Sequence, residues 1–453
     1  MPQNTKPECA SGNWSRRLYS SARCFIHELI GDEISTHSRY FDATIQVFSL
    51  PHDDGDIFRS IQCPKKSLAA DLQELPAAEP ESRRLFFLNG NFNHHFDVEG
   101  LLRNFKKAMH RGDRLTVVVY NSYLRGMYSL ANSLGIRKGE LPTTYFTQAS
   151  LENIAKLAGF EITRTRQVGF LPFRLFGLGD FLNRFFQALP IIRWFGLAEV
   201  VLLRPVMASK TKPSLSILVP ARNERGNIEG AILRLPDLGG AKRELIFVEG
   251  HSNDGTWEEI LRVQKKHGDL IRIVALQQEG KGKADAVRTG LAQASCDLVT
   301  ILDADLTMPP ELLTRFYEAY ELGLADFVNG SRLLYPMEGE AMRFLNWLGN
   351  IFFAKALSFV LQCPIGDSLC GTKLMARRDY ERFCAWRKDF GDFDPFGDFE
   401  LLFPMALLGL GTIDIPVRYR ARTYGSTNIR RFRDGWILLK MTTLGLFRIR
   451  VRA

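Results

Sequence analysis

Residues 301–310 read ILDADLTMPP, and the fold of the second half of the chain turns on them. With Leu298, Val299 and Thr300 before it, the stretch opens as an apolar, β-branched run, which predicts a strand over 298–302. Asp303 and Asp305 stand one residue apart where that strand stops. Paired carboxylates at a strand end are ligands for the hard divalent cations that hold diphosphate oxygens. The pattern therefore points to metal-assisted departure of a diphosphate.

Two upstream stretches repeat the arrangement. Residues 215–232, LSILVPARNERGNIEGAI, give a strand over 215–219, a turn at Pro220 and a helix from about Asn227. Residues 244–260, ELIFVEGHSNDGTWEEI, give a strand over 245–248 that ends at Glu249, with a helix after Thr256. Acids at the carboxyl ends of successive parallel strands gather along one edge of an open sheet, where α/β proteins place ligands. Between the second and third strands, GKGKADAVRTG over 280–290 puts Lys281 and Lys283 in a glycine-rich loop, where ammonium groups reach a diphosphate as point charges.

At 453 residues the chain exceeds one ordinary core, and its 45% apolar content is that of a folded globular protein. The polar, proline-containing SKTKPS at 209–214 separates two blocks of alternating strands and helices, so domains are expected over 1–208 and 209–453. Cys9, Cys24, Cys63, Cys296, Cys363, Cys370 and Cys384 are scattered and never spaced CxxC, which predicts reduced thiols rather than a disulfide or zinc framework. The first residues carry no apolar signal region, and no uncharged apolar run approaches the ~20 residues of a membrane span. The net charge is +9, with nine arginines between Arg418 and Arg452. Such a cluster meets nucleic acid, an anionic leaflet or a phosphorylated substrate, or is simply a solvated face. No RNA or DNA motif accompanies it, and no nucleic-acid partner is expected.

In the first block, strands are predicted over 85–88 and 115–120 and helices over 98–110 and 151–158. The sequences at 87–121 and 146–164 resemble the C-terminal half of a class I S-adenosylmethionine-dependent methyltransferase, over about 82–205. That family holds its cofactor by a glycine-rich turn after the first strand and an acid after the second. Here Gly12, Gly31 and Gly55 are isolated, so an incomplete, structural α/β domain is expected. Residues 168–207 mix Phe, Leu and Pro with Arg174, Arg184, Arg193 and Arg204, as in a membrane-surface segment or in helices that pack domains together.

The second block resembles family-2 glycosyltransferases of the GT-A fold, and within them the dolichol-phosphate mannose synthase branch, over about 214–433. The resemblance rests on VPARNE, EGHSNDGT, GKGKADAVRTG, LDADL, NGSR, DSLCGTK, FGDFE and VRYRARTYGSTN, in that order. It implies an α/β fold with a Rossmann-like mixed sheet and an inverting transfer from a nucleotide-sugar donor to a polyprenyl phosphate. By position, Pro220, Arg222 and Glu224 line the nucleotide pocket and Glu249 contacts base or ribose. Lys281, Lys283 and Asp303 complete the donor side, and Asp303 and Asp305 hold Mg²⁺ or Mn²⁺. Glu249 is followed by Gly250 where the family commonly has two aspartates.

A polyprenyl monophosphate is already largely ionised near pH 7, given a second pKa of ~6, and mostly needs cations to hold it. Arg332 and Arg422 match positions that grip the lipid phosphate, and Arg343 and Lys373 are further candidates. Asp367 is the first choice for a carboxylate beside the acceptor oxygen, with Glu400 second. Residues 344–361 and 436–447 are apolar enough to cover a lipid or a membrane surface. A cytosol-facing enzyme, peripherally attached to the inner face of a membrane, is the expected setting. The rival readings are transfer to a glycan or small-molecule hydroxyl, and a bifunctional glycosyltransferase and methyltransferase.

Overall fold

The computed structural model describes residues 14–51, 53–75, 82–133, 140–189, 192–335, 344–391, 394–420, 422, 424 and 431–451. The chain forms two compact units, Met1–Pro205 with Phe447–Ala453, and Val206–Leu446. Both are mixed α/β, the class that the strand–helix alternation predicts.

The first unit is built on a six-stranded sheet. Its strands are β1 (Ala43–Val47), β2 (Lys66–Ala69), β3 (Arg84–Asn89), β4 (Arg114–Tyr120), β5 (Phe160–Val168) and β6 (Ala198–Pro205), in the order β2-β1-β3-β4-β6-β5. β2, β1, β3 and β4 are parallel, while β6 runs antiparallel to both β4 and β5. The helices Val98–Ala108 and Gln148–Leu157 fall where the periodicity puts them. Each begins on a side-chain cap: Asp97 accepts from Gly100 N, and Thr147 from Ser150 N. One face of the sheet is closed by Ile34, Phe41, Leu85, Phe87 and Leu202.

An ion cluster lies buried against β5. Glu33 accepts from Arg164 Nη2 at 2.9 Å and from Arg166 Nε at 3.3 Å, and Arg166 Nη2 donates to the carbonyls of Ile449 (3.3 Å) and Arg450 (3.1 Å). These last contacts place residues 447–451 with the first unit. Beside them His37 is buried with Nε2 3.1 Å from Thr116 Oγ1; burial and then Arg164 push its pKa down to about 3.

The second unit is built on seven strands: β7 (Leu215–Ala221), β8 (Arg243–Glu249), β9 (Arg272–Gln277), β10 (Leu298–Ile301), β11 (Phe327–Ser331), β12 (Lys373–Ala376) and β13 (Thr412–Pro416). The order is β13-β11-β12-β10-β7-β8-β9. β12 is antiparallel to both neighbours, and every other pairing is parallel. β7, β8 and β10 are near-continuous apolar runs because they are covered on both faces. The last glycine of GKGKADAVRTG has a packing reason. A Cβ on Gly290 would strike the side chain of Leu218 on β7 and come within 2.9 Å of Val248 Cγ2 on β8, so the helix Lys283–Ala292 lies close on the sheet. Among the described residues the six cysteines are free thiols, and no helix is long and apolar enough to cross a membrane.

Candidate functional site

From β7 the chain moves to β8 and β9 on one side and returns to β10 on the other. The carboxyl ends of β7 and β10 therefore flank a topological switch point, the position at which an open α/β sheet leaves a crevice. Each strand that ends there is followed by a non-glycine residue with positive φ: Asn223 (56°) after β7, His251 (56°) after β8 and Leu306 (51°) after β10. Leu306 is the costliest, since an apolar γ-branched residue gains nothing from the left-handed region; such residues store roughly 1–3 kcal/mol each and cluster at functional sites. Its buried side chain in the core of the unit holds the turn in place.

Asp303 leaves the end of β10 and pairs with the Lys283 ammonium. Burial raises the carboxyl pKa, but Lys283, with Arg332 and Lys373 beyond it, more than cancels this and holds Asp303 ionised below the usual carboxylate range. Lys283 is correspondingly stabilised as a cation by Asp303 and then Asp398, against the cost of its burial. Gly371 lies against this pair, because a Cβ there would collide with both the Asp303 carboxylate and Lys283 Nζ.

Asp305 accepts from the backbone N (3.1 Å) and Oγ1 (2.8 Å) of Thr307 through Oδ1, while its Oδ2 accepts from Arg422 Nη2 at 2.6 Å. The same guanidinium reaches Glu224 Oε1 at 3.2 Å. Arg422 thus ties the acid after β10 to the acid after β7. Glu224 is also held by Asn227 Nδ2 at 2.7 Å; its burial raises the pKa despite these partners. Glu249 accepts from Ser252 N at 2.5 Å and from Gln277 Nε2 at 3.3 Å, which fixes the turn after β8. Pro220 pairs in register with Val248, whereas Arg222 and Lys281 are exposed at the rim. Arg343 lies outside the described residues.

Deeper in the unit, Arg332 and Asp367 form a bidentate ion pair, Nε to Oδ2 at 2.7 Å and Nη2 to Oδ1 at 2.9 Å. Arg332 N and Leu369 N add 3.1 and 3.0 Å bonds to the same carboxylate. Asp367 is fully buried, yet Arg332 outweighs the burial and depresses its pKa. With four donors on its two oxygens it has little capacity left to take a proton. The Arg332 guanidinium also lies 5.3 Å from the centre of the Tyr419 ring. Lys373 is fully buried on β12, donating to Asp398 Oδ1 at 2.5 Å and to the Cys370 carbonyl. Glu400 receives Arg288 through Nε (3.2 Å) and Nη2 (3.1 Å), with Arg387 Nη1 3.6 Å away. Asp394 accepts from Phe396 N, Phe399 N and Glu400 N at 2.9, 2.7 and 3.1 Å, so it starts the helix Phe399–Leu407; burial, then Asp398, pushes its pKa up to about 6.

Sequence reading missed Arg288, Asp394, Gly371 and Tyr419. Arg288 was open to detection, since it lies in the helix that begins at Lys283. Gly371 and Tyr419 lie within DSLCGTK and VRYRARTYGSTN, but their partners, Asp303 and Lys283 for the one and Arg332 for the other, come from distant segments, while Asp394 acts locally on Phe396, Phe399 and Glu400. The donor set at Asp303 and Asp305 is hard oxygen, which suits Mg²⁺ or Mn²⁺. Among the described residues a cluster of three ligand-type side chains occurs elsewhere, at His27, Asp54 and Asp56 in the first unit, where Arg23 and Arg59 already pair with the aspartates.

Residues 216–383 match the family model described as Glycosyl transferase family 2. The chain is 34% identical over 227 residues to a dolichol-phosphate mannosyltransferase of Pyrococcus furiosus, covering 48% of this chain and 59% of that protein. It is 28% identical over 229 residues to a dolichyl-phosphate hexose transferase of Haloferax volcanii, covering 51% and 92%. The chain thus spans less than two thirds of the length of the first of these relatives. A solved mannosyltransferase from Pyrobaculum calidifontis, in complex with GDP-mannose and Mn²⁺, is 20% identical with a TM-score of 0.36, over 55% of this chain and 68% of that one. The crevice residues from Glu224 to Lys373 therefore lie in a segment that matches the glycosyl transferase family 2 model.

Proposed function

We propose that the second unit transfers a sugar, with inversion, from a nucleotide-sugar donor to a polyprenyl phosphate at the crevice between β7 and β10. The observation that carries this reading is the lineup of Glu224, Asp303 and Asp305 at the switch point, each already held by a basic side chain that a diphosphate would attract. Its support from relatives is the likeness to the Pyrococcus and Haloferax transferases.

Asp303 and Asp305 would hold Mg²⁺ or Mn²⁺, which when bound neutralises charge on the departing nucleoside diphosphate. Lys283 and Arg422 occupy those carboxylates in the structure. In the proposed reaction they turn toward the diphosphate oxygens instead, so that the site keeps its charge balance. Glu249 and Pro220 shape the nucleotide end, with Arg222 and Lys281 at its rim.

On the acceptor side, Asp367 fixes the Arg332 guanidinium through Nε and Nη2 and leaves the Nη1 edge for a phosphate oxygen. Asp367 is thereby proposed as a positioning residue. An acceptor that is already an anion has no need of a strong base. Lys373 and Asp398 support this cationic wall from below, and Glu400 organises Arg288 and Arg387. Exposed Leu348, Phe352 and Phe359 on the helix Phe344–Leu361 provide an apolar flank for a lipid chain, and peripheral attachment at a membrane is part of the reading.

The test is a thermal-shift screen of UDP-, GDP- and dTDP-sugars with and without Mn²⁺, followed by transfer assays. Short polyprenyl phosphates should accept sugar where soluble hydroxyl acceptors do not. Asp305→Asn should abolish the metal-dependent shift and lower transfer at least ~100-fold while the fold persists. Undiminished transfer by that variant refutes the metal assignment. The methyltransferase-like reading of residues 82–205 stays a proposal that rests on sequence pattern. After β1 the chain runs FSLPHDDG, with glycine only at Gly55, and calorimetry with S-adenosylmethionine should show no heat of binding.

A further inference from the structure

The helix Leu178–Ala188 in the first unit is amphipathic the wrong way round. Its buried face is Gly179, Asn183 and Gln187. Asn183 accepts from Phe170 N (2.7 Å) and Leu171 N (3.1 Å) and donates to Leu171 O (2.9 Å) and Gly179 O (2.8 Å). Gln187 donates to Glu33 Oε2 at 3.3 Å, inside the buried ion cluster. The polar side thus does the packing, and Phe181 and Phe185, stacked with ring centres 6.0 Å apart, face outward. In a helix that meets water on its outer side the two faces would be exchanged.

The turn before this helix adds to the same surface. Leu175 and Phe176 are consecutive non-glycine residues with positive φ, at 45° and 56°, and both are exposed, Phe176 completely. A strained pair that holds a phenylalanine away from the protein costs conformational energy and gains nothing in water. Trp194 and Phe195, on the short turn Ile192–Phe195, are also exposed. Contiguous apolar exposure of this kind marks an interaction surface.

We infer that the surface formed by Leu175, Phe176, Phe181, Phe185, Trp194 and Phe195 docks the first unit into the interfacial region of an anionic lipid bilayer. Three observations favour lipid over a second copy of the chain. The apex is a fully extended phenyl on a tight turn, a convex wedge that suits a fluid layer better than a flat, self-matching patch. Arg174, paired with Glu28, and Arg184, beside Asp32, flank it, and in a chain of net charge +9 like-charged copies repel each other while anionic headgroups attract, competing with those acids for the guanidinium groups. Tryptophan at the border matches the headgroup level, where amphipathic rings reside. The inference extends the peripheral attachment proposed above to the first unit and is independent of the sugar acceptor.

The test uses the full chain with vesicles of phosphatidylcholine, alone or mixed with phosphatidylglycerol, and no nucleotide or polyprenyl phosphate. Cosedimentation should be stronger with phosphatidylglycerol and should fall on the order of tenfold or more in Phe176→Ser/Phe181→Ser. The melting temperature of that variant should be unchanged, because both side chains are exposed. Brominated lipids should quench a tryptophan signal that is missing in Trp194→Phe. Failure of the wild-type chain to bind vesicles, equal binding by the double variant, or a wild-type dimer that Phe181→Ser dissolves would each overturn the docking surface. Vesicle binding without sugar transfer would leave it standing and count against the acceptor reading alone.

Discussion

Arg332 and Asp367 show how much one pair contributes. Asp367 is fully buried and Arg332 largely so, and loss of Arg332 would leave an unpaired buried carboxylate that costs roughly 3–5 kcal/mol. Arg332→Ala should destabilise the chain by about that amount in urea titration, whereas Arg332→Met/Asp367→Leu should regain most of it, because two apolar groups leave no charge behind. Both variants should fail in transfer. A double variant as unstable as the single one would mean that the pair is not the source of the cost. At this scale the sequence was informative where chemistry and position coincide. The position of Asp303 and Asp305 just after a strand was legible because an apolar run ends in two acids. Lys283 to Asp303 and Arg422 to Asp305 and Glu224 were not legible as pairs, since the partners lie 20, 117 and 198 residues apart.

Among the elements, the strands predicted over 215–219, 245–248 and 298–302 appear as β7, β8 and β10, each within about two residues of the expected bounds. β12 was hidden. It is four residues long and carries a buried lysine, and its antiparallel insertion between β10 and β11 is fixed by tertiary pairing, not by local pattern. The helix Lys283–Ala292 illustrates an element whose position depends on a missing side chain. Gly290→Ala should push the helix off β7 and β8 and cost about 1–3 kcal/mol, read as a lower urea midpoint at unchanged m-value. Because Lys283 starts that helix, the same variant should also weaken the thermal shift produced by a nucleotide sugar and Mn²⁺.

For the whole molecule, acid sensitivity should be set in part by His37. Its pKa, near 6.5 when unfolded, is about 3 in the folded chain, since burial and Arg164 oppose a positive charge there. The stability it confers is complete above pH 6.5 and is lost as pH falls from 6.5 toward 3. Between pH 6.5 and 4.5 the loss amounts to about 2–3 kcal/mol. His37→Gln should flatten the acid limb of a stability-versus-pH curve for the first unit; an unchanged limb would assign it to other groups.

The two carbonyls that receive Arg166 belong to Ile449 and Arg450, so the first unit is completed by a stretch that the ribosome delivers only after the second unit. Its sheet is synthesised early and can collapse early, since domains tend to form as they emerge. One buried guanidinium must nevertheless wait, its hydrogens wet or borrowed, until translation has passed through the entire second unit. Maturation of the two halves is therefore linked in time: the earlier half reaches its final state only after the later one has been made.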